Sequence, residues 1–199
     1  MTAREFEKRL AHLEGGTGSS RDMIYVGWCL LNGEEVSSDV ERGKEWLIRA
    51  AQLGNGEACL RLADMYTAGD VVPRDCAQAA LWYDRAERGD GFHGIYGVAV
   101  AVYFGNECLG VDRDRALLLF QKAAARGHIP SKAQWARMCR SGEYGLWRRV
   151  LGNLLVPLIA IQAIFESVRG DPDERLFDAG RWLPNSEAFA RLRAGTRYE

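Results

Sequence analysis

Apolar residues in the middle of the chain follow a helical spacing that is repeated several times. Leu62, Ala63 and Tyr66 lie at positions i, i+1 and i+4, which places them on one face of a helix. Ala79 and Trp82, at i and i+3, mark the buried face of a second helix. The arrangement recurs about 36 residues earlier and about 36 residues later, and a fixed period of this length indicates a stack of helix pairs.

Glycine and aspartate mark the ends of these predicted helices. Gly69 directly follows the first helix, where a helix C-terminus often needs the left-handed conformation that glycine adopts without strain. Asp75 precedes the second helix, where its carboxylate can accept hydrogen bonds from the free backbone N–H groups. The corresponding residues of the other copies are Gly33, Gly105 and Gly142 for the glycine, and Asp39 and Asp112 for the aspartate.

The complete pattern is clearest in the central copy. Its positions are Ala58, Leu62, Ala63, Tyr66, Gly69, Val72, Asp75, Ala79, Trp82, Tyr83, Ala86 and Gly89. With three and a half such copies in register over residues 21–142, the chain resembles the Sel-one-like repeats, a branch of the tetratricopeptide-type superfamily. The resemblance implies an all-α fold, a right-handed α-solenoid of helix-turn-helix repeats of about 36 residues with non-repeat capping helices. It also implies a non-catalytic adaptor that holds another protein.

The segments at the two ends of the chain do not follow the repeat. Residues 1–20 predict one amphipathic helix, with Phe6 and Leu13 on its apolar side, followed by a glycine-rich joint. We interpret this helix as a cap over the first repeat, with a docking helix for a partner as the alternative. The chain therefore divides into this cap, the repeats at 21–142 and an apolar C-terminal helical cap at 143–199.

In the related tetratricopeptide arrangement, the first helices of the repeats line a concave surface that binds the partner. The positions carried over to this chain form a wall of aromatic residues with a basic end: Trp28, Leu31, Asp64, Tyr96, Val100, Tyr103, Phe104, Arg137 and Arg140. Aromatic residues and arginine carry much of the binding energy at interfaces, so the wall predicts a site for a peptide or helix of another protein. That partner would be acidic near Arg137 and Arg140. In the alternative interpretation, several of the aromatic residues, Trp28 and Tyr103 above all, are core residues between helices.

Beyond the repeats, residues 146–165 form an apolar run that Asn153, Pro157 and Gln162 interrupt. Proline disfavours a helix interior, so we predict two short helices here. Three interpretations compete: a buried cap over the last repeat, an interface for a second copy or a partner, and attachment to a membrane surface. The residues expected to make the membrane or oligomer contact are Trp147, Arg148, Arg149, Leu151, Leu155 and Ile159. The alternative function is therefore a membrane-associated accessory factor that places a partner at the inner membrane.

Two more short helices are expected near the C-terminus. Asp171 and Pro172 suit the N-cap and the first position of one helix, and Phe189 and Leu192 mark the apolar side of the other. Both helices belong to the predicted C-terminal cap.

Charge and cysteine content narrow the expected partners and compartment. The formal net charge is −1, so no electrostatic attraction to nucleic acid is expected. The five cysteines are irregularly spaced, and Cys59 and Cys139 fall on helix faces that the repeat buries, which predicts free thiols in a reducing compartment. The charged N-terminus lacks an apolar signal core. We therefore expect a cytoplasmic protein, peripheral to the inner membrane if the apolar run attaches there.

The sequence contains no recognisable catalytic arrangement. His12, His93 and His128 are not at ligand spacing from another histidine, a cysteine or a carboxylate, so no metal site is predicted. No nucleophile with an adjacent base and no phosphate-binding glycine loop is evident either. We therefore expect neither an enzyme nor a bound cofactor.

Overall fold

The structure, a computed structural model, describes residues 3–33, 36–141 and 144–168. All regular secondary structure in these ranges is α-helical. The helices are α1 (Ala3–Glu14), α2 (Ser20–Asn32), α3 (Val40–Gln52), α4 (Gly56–Ala68), α5 (Cys76–Arg88), α6 (His93–Phe104), α7 (Arg113–Ala125), α8 (Ile129–Arg140) and α9 (Leu146–Val168). The all-α class predicted from the repeat is confirmed.

The second helix of each repeat begins at the aspartate that the sequence marks as its N-cap. Asp39 accepts a hydrogen bond from the backbone N–H of Arg42, and Asp112 accepts one from that of Arg115. Asp75 accepts two such bonds at the start of α5. These N–H groups have no partner within their own helix, so the carboxylates determine where each helix begins. The predicted N-caps are confirmed.

Glycines in the left-handed conformation follow the first helix of each repeat. Gly33, Gly69 and Gly105 have φ angles of 67, 75 and 75°. A residue with a Cβ atom is strained at such angles, which explains why glycine recurs at this position. The prediction is confirmed for these three residues, and Gly142 lies outside the described part of the chain.

The chain divides into two compact units, of which the first covers Met1–Gly94. Within it, each helix from α1 to α5 packs against the next one along the chain. The apolar core of α2, α3 and α4 contains Ile24, Leu47, Ala50, Ala58, Leu62 and Met65. α2 and α3 cross closely at Gly27 and Gly43, where a Cβ atom on either glycine would lie only 2.9 or 2.8 Å from the carbonyl oxygen of the other.

The second unit covers Ile95–Glu199 and contains most of α6 together with α7, α8 and α9. Tyr96 and Tyr103 of α6 contact the ring of Phe120 on α7, with ring centroids 5.9 and 6.2 Å apart. α8 packs against both α7 and α9. At Gly152, α9 lies so close to α8 that an added Cβ would be 2.7 Å from the carbonyl oxygen of Ala136. This unit is therefore also built from helices that pack in sequence order.

The apolar run forms a single helix, so the prediction of two short helices is wrong. α9 has 23 residues and contains Pro157 in its interior. Proline has no backbone N–H, and the carbonyl of Asn153 therefore lacks its helical partner. Both residues are exposed, so water can bond to that carbonyl while the helix continues. The helices predicted from Asp171 onward lie outside the described residues.

The cysteines differ in part from the sequence prediction. Cys29, Cys59 and Cys139 are buried and are not disulfide-bonded. Cys76 and Cys108 are disulfide-bonded, so the prediction of free thiols is wrong for these two residues. A cysteine can be bridged only when the fold brings another within a Cα separation of about 7 Å, and irregular spacing in the sequence does not reveal this. The compartment stays a prediction.

Candidate functional site

The two predicted wall residues of α2 are buried or partly buried. Trp28 is only 9% exposed. Leu31 is partly buried and reaches α3: a Cβ atom added at Gly43 would lie 2.9 Å from the Cγ atom of Leu31. Trp28 therefore agrees with the core interpretation and offers little surface to a partner.

Asp64 on α4 makes a polar contact with α5. The Tyr83 hydroxyl donates to Oδ1 of Asp64 over 2.9 Å. The Thr67 hydroxyl lies 3.4 Å from the same tyrosine oxygen and donates to the carbonyl of Ala63 over 2.9 Å. Burial raises the pKa of Asp64 from 3.8 to about 6, and the Tyr83 hydrogen bond and the charge of Arg61 oppose this shift. The carboxylate is therefore held in one position by α5 and is largely ionised at neutral pH.

The wall residues of α6 are of two kinds. Tyr96 and Val100 are buried, with 6 and 4% of their surface exposed. Tyr103 and Phe104, at the end of the helix, are partly exposed, and their rings pack edge to face with centroids 4.9 Å apart. The guanidinium of Arg113 lies 6.0 Å from the centre of the Tyr103 ring. The end of α6 thus presents two aromatic rings beside a cation, whereas Tyr96 and Val100 belong to the core.

The basic wall residues Arg137 and Arg140 lie in the last turn of α8, and both are exposed. Arg137 donates a hydrogen bond to Oε1 of Gln134 over 3.0 Å. Burial raises the pKa of Tyr96 to about 12, and the charge of Arg137 acts in the opposite direction. Arg137 is therefore close enough to α6 for its charge to act on a side chain of that helix.

The start of α8 depends on His128, to which the sequence assigned no role. Its Nδ1 atom accepts from the backbone N–H of Ser131 over 3.3 Å and lies 2.7 Å from the Ser131 hydroxyl. The imidazole also packs edge-on against Tyr96, with ring centroids 4.5 Å apart. A signal for this role is its place in the repeat, because His128 stands where Asn55, the N-cap of α4, stands in the first copy.

The predicted contact residues of α9 lie on two faces of the helix. Leu155 and Ile159 follow Gly152 at i+3 and i+7 and are partly buried on the side of α8. The exposed members of the predicted set are Trp147, Arg148, Arg149 and Leu151. The apolar run therefore packs against α8 with one face and leaves another face open.

Neither a membrane-spanning helix nor a metal-binding cluster is present in the described ranges. No helix among these residues has the length and apolar character needed to cross a bilayer. Within the same ranges, no three histidine, cysteine or acidic side chains are grouped so that they could hold a metal ion. Attachment to a membrane surface and the expected cytoplasmic location stay predictions.

The repeat matches a known protein family. The family model for the Sel1 repeat matches residues 20–55, 56–90 and 93–128. These segments coincide with the helix pairs α2–α3, α4–α5 and α6–α7. The match ends before α8, so the partial fourth copy stays a prediction. No curated protein sequence matches the chain.

Two solved structures are similar to this chain. One is c5321, described as a protective antigen present in uropathogenic Escherichia coli strains and displaying an SLR fold; it is 24% identical with a TM-score of 0.61. The alignment covers 79% of this chain and 33% of c5321, so this chain spans about a third of that protein's length. The other is a Sel1 repeat protein from Oxalobacter formigenes, 25% identical with a TM-score of 0.49, over 66% of this chain and 97% of that one.

The three matched repeats account for more than half of the chain. The likeness to c5321 shows the same fold. The resemblance drawn from the repeated residues is therefore confirmed. The chain belongs to the Sel1 repeat family of the tetratricopeptide-like superfamily, whose members are generally protein-interaction adaptors and typically non-catalytic.

Proposed function

We propose that the chain is an adaptor that holds an acidic peptide or helix of another protein against α6 and α8. The observation that carries this proposal is the pair of exposed arginines, Arg137 and Arg140, in the last turn of α8. Guanidinium groups bind carboxylates through paired hydrogen bonds, and arginine is enriched at protein interfaces. Membership of an adaptor family supports a protein partner, and the arginines indicate its charge.

α6 supplies the apolar part of the proposed site. Tyr103 and Phe104 present partly exposed rings at its C-terminal end. Tyr96 contacts His128 near the N-termini of α6 and α8, so the two helices begin side by side. A bound helix or extended peptide would lie along both helices, with apolar side chains on the rings and carboxylates on the arginines.

The proposed site is smaller than the wall predicted from the sequence. Trp28, Tyr96 and Val100 are buried and serve as core, and Leu31 packs against α3. The residues proposed to touch the partner are Tyr103, Phe104, Arg137 and Arg140, with the Arg113 guanidinium 6.0 Å from the centre of the Tyr103 ring.

The test measures fluorescence anisotropy of labelled amphipathic peptides that have equal length and a net charge ranging from negative to positive. The acidic peptides should bind most tightly, and their affinity should fall as salt is added, because exposed charges are screened. Replacing Arg137→Glu and Arg140→Glu together should weaken this binding at least tenfold, about 1.4 kcal/mol.

A matched control reverses two exposed arginines on second helices, Arg42→Glu and Arg88→Glu, and changes the net charge by the same amount. Its affinity for the acidic peptides should stay within about twofold of the intact chain, because exposed charges away from an interface contribute little. Equal losses in the two double variants, or no preference for acidic peptides, would contradict the proposal.

Tyr103→Ala tests whether Tyr103 binds the partner or packs in the core. If this variant loses its helical signal together with binding, Tyr103 is a core residue.

A further inference from the structure

One face of α9 carries large apolar side chains that the fold leaves in solvent. We call this set the α9 stripe; its members are Trp147, Leu151, Leu154, Leu158 and Ile161. Trp147 is 85% exposed, Leu151 42%, and the other three between 61 and 62%. Such a set leaves several hundred Å² of apolar surface open, and a patch of this size on a folded chain marks a binding surface.

The packing of α9 within its own unit does not use the stripe. Gly152 brings α9 against α8, and Nζ of Lys132 on α8 donates to Oε1 of Gln162 over 3.2 Å. Leu155 and Ile159, partly buried, lie on this same side. α9 is therefore held in place by one face while the stripe occupies another.

The spacing of the stripe is that of a helix-pairing seam. Its members follow one another in steps of four, three, four and three residues. Alternating steps of this kind give the average of 3.5 residues at which two helices keep a continuous apolar contact. The seam extends from Trp147 to Ile161, most of a helix that is about 34 Å long at 1.5 Å per residue.

We propose that two copies of this chain pair through the α9 stripe, with the two α9 helices antiparallel. In this arrangement Leu151 of one copy faces Ile161 of the other, and Leu154 faces Leu158. Each contact is made twice, once by each copy, as a two-fold interface requires. The stripe is thus complementary to itself.

Charge favours the antiparallel direction. The charged side chains that the structure describes in α9 are Arg148 and Arg149, and both lie near its start. Antiparallel helices place the two pairs of arginines at opposite ends of the contact, whereas parallel helices would place them beside each other, where like charges repel. The positions of these arginines therefore favour the antiparallel pair.

The same features argue against a lipid surface as the occupant. A helix that lies on a membrane carries basic residues along its polar face and has that face in water. In α9 both basic residues are at one end, and the face beside the stripe is covered by α8. The pairing does not depend on the peptide site proposed for α6 and α8.

The oligomeric state of the full chain, from light scattering after size exclusion, tests the proposal. The intact chain should be a dimer at micromolar concentration, and Leu154→Glu with Leu158→Glu should be a monomer, because the four carboxylates would face one another. The matched control is Leu81→Glu with Leu118→Glu, two leucines that are 56 and 59% exposed on other helices; it should remain a dimer. A monomeric intact chain, or a stripe variant that is still a dimer, overturns the proposal.

Cysteine cross-linking tests the direction of pairing and does not require a charged substitution. Chains carrying Leu151→Cys should cross-link to chains carrying Ile161→Cys when the two are mixed, and neither should cross-link to itself. The native cysteines outside disulfide bonds are buried, and the intact chain measures the background cross-linking. Self-cross-linking of Leu151→Cys overturns the antiparallel arrangement.

Binding to anionic phospholipid vesicles tests a membrane contact. If the intact chain binds the vesicles as a monomer and the stripe variant does not bind them, the stripe contacts a membrane and the pairing is overturned.

Discussion

Buried polar side chains determine how the residues of the proposed site are presented. His128 and Ser131 are 1 and 0% exposed, and the hydrogen bond between them begins α8. Because a buried N–H without an acceptor is costly, this contact holds the first turn of α8 in place. The same helix carries Arg137 and Arg140 at its other end. The buried His128 side chain therefore helps to position the two exposed arginines at the other end of α8.

Asp64 shows how burial at one residue makes stability depend on pH. Its pKa is about 6 in the folded protein, compared with the ordinary value of 3.8. Between these two pH values the folded state holds a proton that the unfolded state has released, so the free energy of unfolding decreases as the pH rises from about 4 to about 6. Above that range the ionised carboxylate destabilises the fold, and below it the effect is absent.

We predict that Asp64→Asn changes the free energy of unfolding in a more stabilising direction at pH 7 than at pH 4. The amide oxygen can still accept the Tyr83 hydrogen bond, but it avoids placing a charge in a partly buried site. The change in free energy of unfolding between wild type and variant should differ by about 1–3 kcal/mol between the two pH values in urea titrations.

Tyr83→Phe is the companion measurement. The Tyr83 hydroxyl lowers the pKa of Asp64, so its removal should shift the pH dependence of stability to higher pH. If Asp64→Asn changes the free energy of unfolding by the same amount at pH 4 and pH 7, the pKa of Asp64 is not raised by burial.

At the scale of the elements, the first repeat differs from the others where α2 crosses α3. Gly27 and Gly43 stand where the second repeat has Ala63 and Ala79. A Cβ atom at Gly43 would lie 2.8 Å from the carbonyl oxygen of Gly27 and 2.9 Å from Cγ of Leu31. Glycine at both positions therefore allows the backbones of α2 and α3 to approach more closely than alanine would.

We predict that Gly43→Ala destabilises the protein by about 1–3 kcal/mol, the usual effect of forcing an extra methyl group into a packed contact. This loss should appear even though alanine is favoured over glycine inside a helix by about 1 kcal/mol. Urea unfolding followed by circular dichroism measures it.

Gly110→Ala is the matched control, because no atom lies within 4 Å of a Cβ at that position. Its free energy of unfolding should change by less than about 1 kcal/mol. Similar losses at both glycines would mean that the crossing of α2 and α3 has room for a methyl group.

At the scale of the molecule, each of the two units has its own core. Leu62 is fully buried in Met1–Gly94, and Phe120 is fully buried in Ile95–Glu199. In repeat proteins, stability is close to a sum of terms within repeats and between neighbours, so damage to one core acts locally.

We predict that Leu62→Ala and Phe120→Ala each lower local stability by about 2–5 kcal/mol. Native-state hydrogen exchange followed by mass spectrometry should show the loss of protection mainly in the unit that carries the substitution. The two variants act as controls for each other. Equal loss across both units from either variant would show that the chain unfolds as one cooperative body.

Much of the fold could be predicted because its signals are local. Asp39 and Asp75 cap helices that begin one residue later, and Gly69 allows the turn that follows its own helix. These effects act between residues a few positions apart, so the sequence displays them directly. Three copies in register made the helix pairs and the family evident.

Less of the candidate site could be predicted, because the burial of a side chain depends on which neighbouring helix covers it. The spacing placed Tyr96 and Tyr103 on the same helix, yet the first is 6% exposed and the second only partly buried. Helical periodicity identifies a face but does not say which neighbour covers each position along it. Proline predicts a helix end from the sequence alone, but α9 continues through Pro157 because the Asn153 carbonyl is on an exposed face where water can bond to it.

The helix pairs, their caps and the Sel1 repeat follow from the amino-acid sequence, because each depends on neighbours along the chain. Three other features became visible in the folded chain: which wall residues reach solvent, the disulfide bonding of Cys76 and Cys108, and the packing of α9 by one face with its stripe left open. Those outcomes depend on distances between residues far apart in the chain, which are set when the helices pack.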